Sequence, residues 1–460
     1  RTVREMRPCC PQKAAVCMVG YYVLPRRWRN PFLLAANLVF YGWGEPWFLP
    51  VILLTACGNW LIGLQIERSA AKRRRLWLAA ALLLDLGLLI AFKYTGFVLR
   101  SIGLGHLLAS PIPLPLGISF YIFQVVSYVV DVYRRTVPVE TSPVRFATYM
   151  TFFPQLIAGP IVRYDELRAQ LTGRAETWNK IASGFCLLLV GLGKKMLLAN
   201  PMGALWEGLR ALPEGTGIVG AWVGAIAFTL QIYFDFSGYS DMARGLGRLF
   251  GFEIPVNFRY PYAASSIKDF WRRWHITLSS WFRDYVYIPL GGSRCGAGRT
   301  VCNLFVVWAL TGLWHGAAWN YVLWGLYYFA LLTAERMIGE ARLARIPRAM
   351  RHVLTLALVV IGWVLFAIED FGALGAYLRA MFSPAGGLLS DQAAVWVLSY
   401  LPLLVVGALA STPAAAALVR RKGTTATARW GVVTGCLLIL AASTAALVAQ
   451  SYNPFLYFRF

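Results

Sequence analysis

Long apolar runs separated by short basic patches set the pattern of this chain. "LWLAAALLLDLGLLIAFKYTGFVL" (76–99), "GIVGAWVGAIAFTLQIYF" (217–234), "VLTLALVVIGWVLFAI" (353–368) and "GVVTGCLLILAASTAALVA" (431–449) are the clearest. They approach or reach the roughly 20 residues that carry a helix across a bilayer. Further runs cover 112–133 and 395–411. The pattern predicts an all-α polytopic membrane protein of about ten to twelve membrane and re-entrant helices, several too short to span. No linker or internal repeat breaks the chain, so 1–460 reads as a single membrane-embedded domain.

Two stretches depart from this pattern. "DFSGYSDMARGLGRLFGFEIPVNFRYPY" is polar and punctuated by Gly and Pro. It must pack inside protein or line a cavity, because lipid offers no hydrogen bonds to irregular backbone. "FWRRWHITLSSWFRDYVYIPLGGSR" (270–294) is too charged for the bilayer core and too aromatic for an ordinary loop. Ile267, Trp271, Trp274, Leu278, Phe282 and Tyr285 recur at steps of three and four, one apolar stripe. Ser266 followed by Asp269 resembles a capping box. The spacing predicts an amphipathic interfacial helix over 265–290, ended by Gly291 and Gly292, with His275 bordering the stripe.

Composition agrees: 58% of residues are hydrophobic and 14% charged, against about 25% charged in a soluble domain. The net charge of +23 lies in clusters between apolar runs: Arg26, Arg27 and Arg29; Lys72 to Arg75; Arg134 and Arg135; Arg342 to Arg351; Arg420 to Lys422. Such clusters mark cytoplasmic loops and suit anionic lipid head groups, and they place "SYNPFLYFRF" outside. No basic soluble domain exists to bind nucleic acid. The eight cysteines show no CxxC pair and mostly lie in apolar runs, which argues against a metal site or a disulfide framework. No cleavable signal is visible. The chain opens at Arg1, so its first dozen residues read as a fragment edge or a misplaced start.

Of the four histidines, His106 sits in a Gly-flanked turn and His352 in a basic loop, and both read as solvated. His315 ends a run from Val301 that holds no Asp, Glu, Lys or Arg. A helix entering after Arg299 would carry it about 22 Å, past the midplane of the core. An ionisable group at that depth is either a functional site or a neutral ring bonded across helices. The helix pair over 301–336 thus carries a catalytic candidate, and His275 is the candidate partner. A desolvated imidazole is driven to the neutral form that accepts a proton from a hydroxyl. A second ring nearby can orient the substrate or the first ring, or donate to an oxyanion. There is no GxSxG, HExxH or P-loop motif, and Ser280 occupies the Asp position of an HxxxxD signature. Around these histidines and in the polar segment, Trp271, Trp274, Trp314, Tyr239, Asp241 and Asn320 are candidates to contact substrate. Arg272, Arg273 and Arg283 are candidates to face either lipid head groups or an anionic donor.

"FWRRWHITLSSWFRDYVYIPLGGSR", followed 40 positions after His275 by His315 in "LTGLWHGAAWNYVLWG", resembles the membrane-bound O-acyltransferases. "YGWGEPWF" (41–48), "PLGISFYIFQVVSYVVDVYR" (115–134), "FFPQLIAGPIVRY" (152–164), "DFSGYSDMARGLGRLFGF" (235–252) and the terminal "SYNPFLYFRF" resemble their alginate O-acetylase branch. The resemblance implies a helical ring with a thin waist and funnels from both faces. It puts the family's catalytic histidine on His315 and the partner position on His275. It implies an acyl thioester such as acetyl-CoA reaching the site from the cytoplasm, with no bound cofactor. It also implies an exported polysaccharide as acceptor, a periplasmic acetyltransferase as partner, and a bacterial inner membrane. The start departs from that branch, since "RTVREMRPCCPQK" stands where a full apolar helix usually opens. Two other classes remain open: a related transferase, such as D-alanyl transfer to teichoic acid, and a transporter. Asp85, Lys93, Asp131 and Asp235 suggest the transporter, but the internal repeat common in transporters is missing.

Overall fold

Seven helical stretches among the described residues are long and apolar enough to cross a membrane: Pro46–Arg68, Ala71–Ser101, Trp178–Arg210, Gly217–Leu249, Arg348–Ala367, Asp391–Ala410 and Trp430–Ala449. They cover most of the predicted apolar runs. The computed structural model describes residues 11–449 and 455, apart from 109, 111, 158, 213, 214, 415, 416 and 418–425. The Arg420–Lys422 cluster, Cys9 and Cys10 therefore lie outside the described residues, as does the terminal segment except Phe455. All regular structure in the described residues is helical. The chain is a multi-pass α-helical membrane protein.

Contacts group the chain into two compact units, Arg1–Phe185 with Ala243–Pro255, and Cys186–Met242 with Val256–Phe460. Two of the three divisions fall inside the continuous helices Trp178–Gly193 and Gly217–Leu249, where no linker composition marks them, and the third falls between Pro255 and Val256 in the irregular segment.

In the first unit, helices Leu49–Arg68 (α1), Ala71–Leu89 (α2) and Ile118–Arg134 (α3) pack together. The 112–133 run begins its helix only at Ile118, because Gly117 turns the chain with φ 74°. A Cβ on Gly117 would collide with the Leu156 carbonyl oxygen, so only glycine fits there. Arg74 is buried and donates to the carbonyls of Val132 (3.3 Å) and Tyr133 (2.8 Å), orphan acceptors at the end of α3. Arg74 of the Lys72–Arg75 cluster thus reaches the carbonyls just ahead of the Arg134–Arg135 cluster.

The second unit holds the candidate chemistry. Its main elements are the helix Gly217–Leu249 (α4) up to residue 242, the short helices Ile267–Arg273 (α5) and Ile276–Phe282 (α6), the hairpin Ala297–His315 (α7) and Trp319–Ile338 (α8), and Arg348–Ala367 (α9). In α7 and α8 the backbones touch: a Cβ on Gly312 would strike the Tyr321 carbonyl, and one on Gly325 the Trp308 carbonyl. Small residues permit that approach, as in other membrane hairpins. A window of α4 is 67% buried, whereas windows of Asp391–Ala410 and Trp430–Ala449 are 11% buried, so α4 is the central element of these three.

The predicted 265–290 helix is not continuous. Ser266 caps α5 by accepting from the Asp269 N–H at 3.0 Å, as the sequence suggests. The helix then stops at Arg273, and His275 takes a left-handed conformation, φ 41° and ψ 56°. A second helix and a π-helical turn, Arg283–Tyr287, follow. Gly291 (φ 108°) and Gly292 (φ 58°) end the element, as expected. The break has a physical cause in the polar segment before it. Arg259 N–H donates to the Arg273 carbonyl, and the Asn257 carbonyl accepts from Ile276 N–H, both at 3.0 Å. Backbone groups that a continuous helix would pair internally are taken by residues 257–259.

Candidate active site

The break buries His275 completely. Left-handed backbone costs a non-glycine residue about 1–2 kcal/mol, so the surroundings must hold it. Asn257 does so with its side chain as well as its carbonyl. Its Oδ1 lies 3.1 Å from His275 Nδ1, and it accepts from Thr277 N–H at 3.2 Å and Thr277 Oγ1 at 2.9 Å. The other end of the amide donates toward Ser240 Oγ on α4, at 3.4 Å. Aromatic rings enclose the imidazole: Phe236 edge-on at 4.8 Å, Trp314 at 5.8 Å and Phe258 at 6.4 Å. Burial pushes this imidazole well below its ordinary titration range, toward the neutral ring.

His315 closes α7 and is buried. Its ring stands edge-on to Trp324 (4.9 Å), Trp314 (5.1 Å) and Phe366 (5.3 Å). Trp314 therefore touches both imidazoles. The two histidine centroids are no farther apart than the 5.8 and 5.1 Å contacts laid end to end. The structure brings the predicted pair into one aromatic-walled site. Gly316 follows in extended backbone, and a Cβ there would run into the Tyr321 ring.

The other candidates fall into distinct settings. Trp271 is buried against Trp308 (4.7 Å), Tyr328 (4.8 Å) and Trp324 (5.6 Å), and Trp274 against Trp363 (4.7 Å) and Phe258 (5.0 Å). Packing alone accounts for the burial of both. Asn320 donates from Nδ2 to the Phe366 carbonyl at 3.0 Å and so fastens the start of α8 to the end of α9. Tyr239 meets Phe455 edge-on at 5.2 Å, and Asp241 pairs with Lys194 at 2.6 Å. Six residues earlier on α4, buried Asp235 pairs with Lys195 at 2.6 Å, and Phe455 lies over the Lys195 ammonium at 4.8 Å. Arg272 is exposed, Arg273 pairs with Asp269 at 2.9 Å, and Arg283 grips Asp284 at 2.6 Å.

His106 is exposed, as expected. His352 departs from the solvated loop predicted for it. It stands on α9, half-buried, with Nδ1 2.8 Å from the Ala264 carbonyl. The basic patch hid this, because the apolar helix extends back through Arg348. Among the described residues, no group of three or more His, Cys, Asp or Glu side chains is placed to hold a metal ion.

Sequence reasoning missed Asn257, Lys194, Lys195 and Glu335. Glu335, on α8, accepts from the Ile267 N–H at 2.7 Å and so supports the start of α5. A lone Asn in "PVNFRY" and a Lys pair inside an apolar run were the only signals, and neither carries a period.

Two buried histidines on a helix break and a helix end, in a multi-pass α-helical protein, fit a membrane-embedded transferase. Residues 134–369 match the model of MBOAT, the membrane-bound O-acyltransferase family, and the chain belongs to that family. The protein is accordingly an O-acyltransferase. It is 38% identical to the probable alginate O-acetylase AlgI of Pseudomonas putida over 96% of both chains. It is 37% identical to the probable alginate O-acetylase AlgI of Azotobacter vinelandii, again over 96% of both. The peptidoglycan O-acetyltransferase of Helicobacter pylori is 32% identical over 80% of this chain and 77% of its own.

Proposed function

We propose that the protein transfers acetyl groups from a cytoplasmic thioester, such as acetyl-CoA, toward O-acetylation of an exported polysaccharide of the alginate kind at a bacterial inner membrane. A periplasmic acetyltransferase is the partner expected to complete delivery. The observation that carries this proposal is the convergence of His275 and His315 on Trp314, joined to near-full-length similarity to alginate O-acetylases.

In this mechanism His315, as a neutral imidazole, takes the proton of the acceptor hydroxyl while its oxygen attacks the thioester carbonyl carbon. The tetrahedral intermediate collapses, the carbon–sulfur bond breaks, and the proton passes to the departing thiolate. His275 supports the step from the same cavity. The aromatic walls exclude water, which strengthens each polar interaction and suppresses hydrolysis of the thioester. Arg272, Arg273 and Arg283 serve the interface, where head groups and an anionic donor share one chemistry.

The test is complementation. An alginate-producing bacterium lacking its own membrane O-acetylase receives this gene, and acetyl groups per mannuronate are measured by NMR. Restored acetylation supports the proposal. Membranes that accept D-alanine from a carrier protein and no acetyl from acetyl-CoA would replace it with the D-alanyl alternative.

A further inference from the structure

We propose that Asn257 is a positioning residue for the reaction, locking His275 in the Nδ1–H tautomer so that its Nε2 is a hydrogen-bond and proton acceptor. This rests on the functional assignment above for its kinetic consequence, though not for its structural one.

The inference begins with Thr277. Its backbone N–H can only donate, and it points at one end of the Asn257 amide, 3.2 Å away. That end must be the oxygen, since the amide nitrogen there would oppose donor to donor. The same oxygen lies 3.1 Å from His275 Nδ1, so Nδ1 carries a proton and donates it. A neutral imidazole has one N–H only, which leaves a lone pair on Nε2. Nε2 is buried and has no hydrogen-bond partner among the described residues. A buried polar atom without a partner costs about 1–3 kcal/mol, a cost that persists in a protein when a ligand answers it. An acceptor atom in that position calls for a donor, such as a hydroxyl of the acceptor sugar. It also excludes one role: the neutral ring cannot donate from Nε2 to an oxyanion.

The arrangement is held from several elements. Ser240 on α4 receives the far end of the Asn257 amide, and Phe236, one turn earlier, braces the imidazole. The main-chain bond from Ile276 N–H to the Asn257 carbonyl does not depend on the side chain. The helix break should therefore survive substitution of Asn257. Among the described residues, no charged group is in contact with the His275 ring. It meets Phe236 from α4, Asn257 and Phe258 from the segment before α5, and Trp314 from α7. The nearest acids along the chain, Asp269 and Asp284, are paired with Arg273 and Arg283; Asp235, next to Phe236 on α4, is paired with Lys195, and His315 stands across Trp314.

The tautomer is tested without any substrate. The chain has four histidines, so 15N-labelling of histidine in the purified protein, with His275→Gln to assign its signals, reads the protonation of each His275 nitrogen. A protonated Nδ1 and an unprotonated Nε2 are expected, and a reversed pattern would overturn the proposal. In Asn257→Leu the two tautomers should mix, and transfer should fall about 10- to 100-fold, by analogy with outer partners that orient metal-bound imidazoles. In Asn257→Asp the carboxylate still accepts from Nδ1–H but stabilises the imidazolium, raising its pKa. As pH falls, activity of that variant should be lost at a higher pH than in wild type, and recover toward wild type above it. A fully active Asn257→Leu protein would contradict the kinetic role, as would an Asn257→Asp protein with an unchanged acid limb. Neither outcome depends on which polysaccharide is the acceptor.

Discussion

His275 and His315 share one wall, the indole of Trp314, which meets the first ring at 5.8 Å and the second at 5.1 Å. The two histidines are 40 positions apart in sequence and come from different elements, and this one aromatic side chain lies against both rings. Trp314→Phe should keep a ring in that wall and retain most of the transfer activity. Trp314→Ala opens a cavity, with a stability cost of about 3–5 kcal/mol for a buried Trp. Even where it accumulates in membranes, the Ala variant should transfer poorly, because the two rings lose their common support. Acetyl transfer per unit of membrane protein reads this. An Ala variant as active as wild type would show that the wall does not matter.

Acid should destabilise the protein partly through His275. The folded ring is held neutral by burial, whereas an unfolded imidazole titrates near 6.5. The unfolded state therefore binds a proton that the folded state refuses. This contribution to stability is complete above about pH 6.5 and declines as pH falls below it. Melting in detergent at pH 7.5 and pH 5 should show a larger acid shift for wild type than for His275→Gln. Equal shifts would mean that the ring takes up its proton in the folded protein.

Within the second unit, α4 is tied by the Lys195–Asp235 pair, of which little more than a twentieth of either side chain is exposed (6% and 3%). Removing one partner of a buried pair strands the other charge, at about 3–5 kcal/mol, whereas replacing both by apolar groups is often neutral. Asp235→Asn should therefore lower the melting temperature sharply, and Lys195→Met with Asp235→Leu should recover most of the loss. If the double variant melts below both single variants, the pair is stabilising in its own right.

Gly325→Ala should separate α7 from α8, since its Cβ would meet the Trp308 carbonyl. His315 ends α7, so a shift of the hairpin by a fraction of an ångström moves the ring. A misplacement of about 1 Å can cost about 10²-fold in rate, so the smaller shift should still lower it measurably. Gly298→Ala, which meets nothing within 4 Å, is the control and should leave activity unchanged. Parallel transfer assays on both variants decide the matter.

The apolar runs, the charge clusters between them and the isolation of His315 were legible because each is a local property of composition and period. Of the stripe from Ile267 to Tyr285, Ile267, Trp271, Trp274, Leu278 and Phe282 are buried and Tyr285 is half-buried. The stripe could not give the break at His275. That break depends on Asn257 and Arg259, which reach α5 and α6 from outside the helical period. Lys194 and Lys195 were illegible for a similar reason. Inside an apolar helix a lysine looks like a defect until its aspartate, some forty residues on, is seen beside it. Where the boundary between the two units crosses at 185 and 242 it left no mark, because helices run through it there.

The central claim, that His315 is the reacting base of an O-acyltransferase, is tested most directly by His315→Ala. Membranes carrying equal amounts of wild-type and variant protein receive radiolabelled acetyl-CoA and an acceptor polysaccharide, and transferred label is counted. General-base help is typically worth about 10²–10⁴-fold, so the variant should lose at least about 10²-fold while still melting like wild type. A stable, membrane-inserted His315→Ala protein that transfers acetyl at the wild-type rate would contradict the mechanism.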